Sequence, residues 1–132
     1  MAKEVSQRQL RVGQEIKRII AGRIERGEIR NLEGLGALVT ITEVRVTPDL
    51  KNAHTYFIAH PVDKNESVLD ALQLAANHFR KQVASNTDLR YVPVISFRID
   101  ETYAEVAKIE ALLRDPKVQE DLNKPDEPEE EE

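Results

Sequence analysis

The chain has no cysteine and no tryptophan, and only three tyrosines and three phenylalanines among its 132 residues. Without thiols there is no thiolate nucleophile, no zinc finger and no disulfide framework, and the composition suits a reducing compartment. So few rings exclude the stacked aromatic platforms on which readers of extended single strands depend. No apolar stretch approaches the roughly 18 residues of a membrane span. Met1 to Ser6 are polar and lack the apolar segment of an export signal. A soluble cytoplasmic protein with no membrane partner is the expectation.

Chemistry-bearing patterns are also missing. His54, His60 and His78 have no metal-ligand spacing. The first two share a strand face by parity but stand about 20 Å apart. The serines lack a nucleophile elbow, and the glycines form neither a P-loop nor a dinucleotide-binding turn. The carboxylates avoid apolar runs that would raise their pKa. No catalytic residue, metal ligand, cofactor or small-molecule substrate is expected. A chain of this length buries roughly two-thirds of its unfolded surface, enough for one core without staples.

What is present is charge, unevenly placed. The net charge is −5, yet residues 115–132 hold nine acids and two bases and carry −7 by themselves. The rest carries +2, and the first 32 residues, with eight bases and four acids, carry +4. A mildly basic body thus wears an acidic tail that repels itself and cannot fold alone. Two readings of the tail stand together: a solubilising appendage, or a strand of charge that folds back and competes with weakly bound RNA.

Apolar periodicity divides residues 1–114 into an α-β-β-α-β-α order. A first helix, Val5 to Arg26, has Val12, Ile16, Ile19 and Ile20 in its stripe, with Arg23 inside the apolar arc and obliged to snorkel. Ile29 to Gly36 reads as a flexible loop. Strands follow at Leu38–Thr47 and Ala53–His60, antiparallel across a Pro48-Asp49 turn. The alternation of the first slips between Ile41 and Val44, a sign of a bulge or of burial on both faces. A second helix runs from Asn65 to Ala84 and a third strand from Tyr91 to Ile99. The last helix, Tyr103 to Arg114, starts at a capping-box pattern, Thr102 to Glu105. The result is an α+β domain, a small three-stranded sheet with helices packed on one face and the other left open or thinly covered.

Cations cluster twice. Arg8, Arg11, Arg18 and Arg26 share one side of the first helix, interrupted by Glu15. Guanidinium forks at this spacing suit a phosphate backbone, and a solvated face balanced by Glu15 and Glu25 fits equally. Asn77, Arg80 and Lys81 project together from the second helix, and Arg90 and Arg45 are candidates for the same surface. With so few rings to stack on bases (Tyr56, Tyr91, Tyr103 and the phenylalanines), structured RNA recognised by shape and backbone is favoured. At Asn77, after Ala75 and Ala76, a kink and a straight exposed helix both fit.

Taken in order, several runs resemble the ribosome-binding factor A family: Arg8-x-x-Arg11-Val12, Val39 to Val44 with Thr47-Pro48-Asp49-Leu50, Ala71-Leu72, Ala75-Ala76 and Arg80, then Leu89-Arg90-x-Val92-Pro93, Phe97 and Asp100. They span Arg8 to about Arg114. The resemblance implies a type II KH-like domain whose GxxG loop is replaced by a kink in the long helix, at Ala75, Ala76 and Asn77. Asn77 stands where the family often has glycine, and the family's Asp-Pro-Arg run after the first helix is absent. The resemblance further implies a monomer that binds free 30S subunits. It would support late maturation and processing of 16S rRNA near its 5′-terminal helix without covalent chemistry. Read from the residues alone, the RNA-binding candidates are Arg8, Arg11, Arg18, Arg45, Asn77, Arg80, Lys81 and Arg90. The rival readings are a KH-like binder of another RNA and a non-enzymatic protein adaptor.

Overall fold

The computed structural model describes residues 5–114; the expected acidic tail, 115–132, lies outside the described residues. Two units, divided after Asp100, are described separately. The first holds α1 (Gln7–Glu25), β1 (Leu38–Val46), β2 (Asn52–His60), α2 (Asn65–Leu74), α3 (Ala76–Asn86) and β3 (Val94–Ile99). The second is α4 (Glu101–Leu113), with Val106, Ile109 and Leu113 at helical spacing along one side.

Helix α1 begins where its capping chemistry dictates. The Ser6 hydroxyl accepts from the Gln9 amide at 3.1 Å, and the Gln9 side chain accepts from the Ser6 amide at 2.9 Å. This reciprocal pair satisfies two otherwise orphaned donors. The same buried Gln9 donates through Nε2 to the Val46 carbonyl at 2.8 Å, so one side chain caps the helix and ties it to β1. Val12, Ile16, Ile19 and Ile20 face the core, and Gly13 lies directly over the strand.

The three strands are ordered β1-β2-β3; β1 pairs antiparallel and β3 parallel to β2. The irregularity anticipated in β1 is a bulge, with Ile41 opposite Phe57, Glu43 opposite Tyr56 and Thr42 skipped. The groups of Thr42 are taken up elsewhere. Its carbonyl accepts from Lys17 Nζ at 3.2 Å, and its hydroxyl donates to Asp100 at 2.6 Å. Ala53, Thr55 and Phe57 alternate with half-buried His54 and Tyr56, and Ile95 and Phe97 alternate with Ser96 and exposed Arg98. That parity sets the core face of the sheet, while Ile58, of the opposite parity, is buried as well. Phe57, Phe79, Ile16, Ile20 and Leu72 fill the core, with Phe79 against Phe97 at 5.3 Å between ring centroids.

Several boundaries differ from expectation. The long helix is broken at Ala75, whose φ of −95° and ψ of 6° leave the helical well. Its second piece runs on to Asn86. The third strand starts at Val94, because Pro93 has no N–H to give to a ladder and sits buried just before it. Helix α4 starts at Glu101, which puts Thr102 within its first turn, so the expected capping box does not begin it. The segment read as a flexible loop contains a short 3-10 turn at Arg30–Leu32. Ile29 there is in the core, and Leu32 and Leu35 pack against it. In the hairpin turn, the left-handed residue is Leu50, at φ 62°, beyond Asp49. Such a conformation costs a non-glycine residue about 1–2 kcal/mol. The Leu50 N–H bond to the Thr47 carbonyl, at 2.8 Å, and partial burial of the Leu50 side chain offset it.

The two glycines inside α1 make a controlled comparison. A Cβ on Gly13 would lie 2.8 Å from the Val44 carbonyl oxygen, whereas one on Gly22 would meet nothing within 4 Å. Gly13→Ala is expected to lower unfolding free energy by about 1–3 kcal/mol through overpacking. Gly22→Ala is expected to raise it by about 0.5–1 kcal/mol through helix propensity. Urea titration of both variants measures each sign, and equal effects would remove the close-contact account.

Candidate nucleic-acid interface

A wide cleft lies where the start of α1, the hairpin turn, α3 and the segment before β3 converge. It encloses about 760 Å³ and is lined by Arg8, Lys51, Arg80, Arg90 and Tyr91 among others. A shallower hollow of about 480 Å³ shares Arg80, Arg90 and Tyr91 with it and adds Asn77 and Lys81. Cations far apart in sequence therefore border one continuous surface. Helical spacing puts Asn77, Arg80 and Lys81 on the exposed side of α3, since Phe79 and Val83 take the core side.

Arg80 is also structural. Its Nε and Nη2 donate to the Val92 carbonyl at 3.3 and 2.9 Å, pinning the segment before β3 to α3. Two residues before Val92, the Arg90 guanidinium lies 5.9 Å from the Tyr91 ring centroid, within cation–π range. Among the described residues, Arg8, Arg11, Arg18, Lys81 and Arg90 make no ion pair. Arg11 and Arg18, seven residues apart, project on the side of α1 away from β1, because Gln9, Gly13 and Lys17 occupy the strand side.

Two other arginines are engaged elsewhere. Arg45 pairs with Glu43 at 2.8 Å and lies 5.4 Å from the Tyr56 ring centroid, and it does not line the cleft. Glu43 holds its guanidinium pKa above the ordinary value. Arg23, placed in the apolar arc by its spacing, pairs with Glu28 at 2.9 Å. The Arg23 hydrogen bond pulls the Glu28 carboxyl below its usual pKa, with His78 adding to the effect at 3.3 Å.

Lys51 is not among the candidates read in the sequence, and Tyr91 appears there only as one of the few rings able to stack on a base. Lys51 is delivered by the hairpin turn. The Asp49 Oδ1 accepts from the Thr47 hydroxyl at 2.6 Å and from the Lys51 amide at 3.0 Å, which keeps Asp49 ionised to a lower pH than usual. The Pro48-Asp49 pair signals a turn; that the turn meets residues 89–92 is visible only in three dimensions. No group of three or more His, Asp and Glu side chains able to hold a metal ion occurs among the described residues. None of their helices is long and apolar enough to cross a membrane.

Comparison with known proteins fits this geometry into a family. The family model described as Ribosome-binding factor A matches residues 8–113. The chain belongs to the ribosome-binding factor A family. A relative of that name from Paramagnetospirillum magneticum is 39% identical over 122 residues, covering 92% of this chain and 86% of its own. One from Bradyrhizobium diazoefficiens is 40% identical over 128 residues, covering 96% and 89%. The fold also matches the crystal structure of ribosome-binding factor A from Thermus thermophilus. That match has a TM-score of 0.59 at 24% identity, over 69% of this chain and 94% of the other. A Thermotoga maritima solution structure, described as a putative member, gives 0.58 at 22% over 74% and 91%. These matches carry the α+β fold of three strands and helices.

On the open sheet face, His54 Nδ1 lies 3.0 Å from the Ser96 hydroxyl, and burial followed by the nearby Arg98 charge lowers its pKa from 6.5. The unfolded chain therefore takes up this proton first, so the folded state loses stability as pH falls just below 6.5 and keeps it fully above. Urea unfolding between about pH 5 and 7 is expected to show less acid destabilisation in His54→Asn than in the unaltered chain. Parallel curves would contradict this assignment.

Proposed function

We propose that this chain is a ribosome-associated assembly factor that attaches to folded 16S rRNA of the free 30S subunit and assists its late maturation and processing. Attachment is its whole activity, holding RNA in one conformation without covalent chemistry. The observation that carries this reading is the gathering of Arg8, Asn77, Arg80, Lys81 and Arg90, from two helices and a loop, onto one surface. Arg11 and Arg18 extend it along α1. Guanidinium and ammonium groups so spaced meet successive phosphates and need no base readout. Family membership supplies the ribosome as target.

We read the body as a type II KH-like domain. In support, its helix-strand-strand-helix-helix-strand order carries a broken helix, α2 then α3, at the junction where such domains hold a GxxG loop. No GxxG occurs in the sequence. The acidic residues 115–132 are read as a solubilising or competing appendage, and the protein as a cytoplasmic monomer.

If about five phosphates are engaged, log K for purified 30S particles falls against log salt with a slope of roughly −4 to −5. Lys81→Glu with Arg90→Glu is expected to weaken binding at least about tenfold, and Arg45→Glu to change it less than about threefold. Binding by titration at several salt concentrations reads both. A flat salt dependence would remove the electrostatic mechanism. Intact binding by the charge-reversed variant, with loss on deleting residues 115–132, would transfer the protein to the adaptor reading.

A further inference from the structure

The cleft holds more than charge. Beside Tyr91 it is walled by Leu50, Leu89, Val92 and Val94, and a phosphate backbone has no use for such walls. Tyr91 is 74% exposed and Val94 49% exposed, so apolar surface is left in water inside a concavity. The volume of about 760 Å³ falls within the roughly 300–1,000 Å³ of sites that enclose one small organic group. Arg8, Lys51 and Arg90 contribute positive charge from three different segments. The one carboxylate among the described lining residues, Asp49, has Oδ1 bonded back to its own turn. An apolar wall with an aromatic ring under a cationic rim is complementary to a base attached to its phosphate.

We propose that this cleft takes one unpaired nucleotide of a folded RNA, its base stacked on Tyr91 and its phosphates held by Arg8 and Lys51. The inference rests on reading this surface as RNA-binding and adds the substrate class: a duplex from which one nucleotide is extruded, in place of a regular helix. It reconciles a chain too poor in rings to follow a single strand with the exposure of one ring inside a basic cleft. Arg80 is a positioning residue here. By holding the Val92 carbonyl it fixes the loop that presents Arg90 and Tyr91.

The test uses the full chain and two RNA probes at one fixed salt concentration. One is a duplex of about 20 base pairs, and the other is the same duplex with a single bulged 2-aminopurine nucleotide. The bulged probe is expected to bind about tenfold more tightly, with its fluorescence quenched as the base stacks. Tyr91→Ala is expected to abolish the preference, and Tyr91→Phe to keep it. Because Tyr91 is 74% exposed, neither change threatens the core. Equal affinity for both probes, with salt-sensitive binding intact, would overturn the nucleotide site and leave RNA attachment standing. Failure to bind either probe or 30S particles would overturn both. Tyr91-dependent capture of a ten-residue glutamate peptide, without discrimination between the RNAs, would overturn the proposal in favour of an acidic protein segment.

Discussion

Helix α1 lies on β1 at a separation that only a glycine permits, with Gly13 against the Val44 carbonyl. Gln9 and Lys17, one turn to either side, donate to the carbonyls of Val46 and Thr42. This contact decides which way the helix faces. With the Gly13 side fixed to the strand, Val12, Ile16, Ile19 and Ile20 complete the core, each buried aliphatic side chain contributing about 1.5–3 kcal/mol. Arg11 and Arg18 are then held in solvent, and Arg8 is placed at the mouth of the cleft. The bulge at Thr42 belongs to the same arrangement, since skipping one residue releases the carbonyl that Lys17 takes.

The basic surface is a consequence of how the two helices pack on the sheet. On the core face of the sheet α1 and α3 pack side by side, and the cations of both helices emerge together. The hairpin turn and the segment before β3 close the remaining side of the cleft. Two local devices hold them: the Thr47–Asp49–Lys51 hydrogen bonds and the clamp of Arg80 on Val92. A strained Leu50 sits in the cleft wall, which agrees with the tendency of unfavourable backbone to persist where its surroundings over-determine it.

Most of the body was legible in the sequence because burial is periodic. The stripe of α1, the β-branched run of β1 and the alternation Ile95, Phe97, Ile99 each carry their own period. What stayed illegible depended on contacts distant in sequence. The Ser6–Gln9 capping box is secured by a distant partner, the Val46 carbonyl that Gln9 reaches. Parallel pairing of β3 with β2, and the arrival of Lys51 beside Tyr91, have no local signature. Arg45 and Arg80 look alike in the sequence; one is committed to Glu43 and the other to a loop carbonyl bordering the cleft.

The two sides of the sheet offer RNA a choice, since Tyr91 marks the cleft and Tyr56 the open face with Arg98 and His54. Ultraviolet cross-linking of the protein to immature small subunits, followed by identification of the peptides that carry RNA, separates them directly. Adducts are expected on peptides containing Arg80-Lys81 and Arg90-Tyr91. Adducts confined to peptides containing Tyr56 and Arg98 would contradict it.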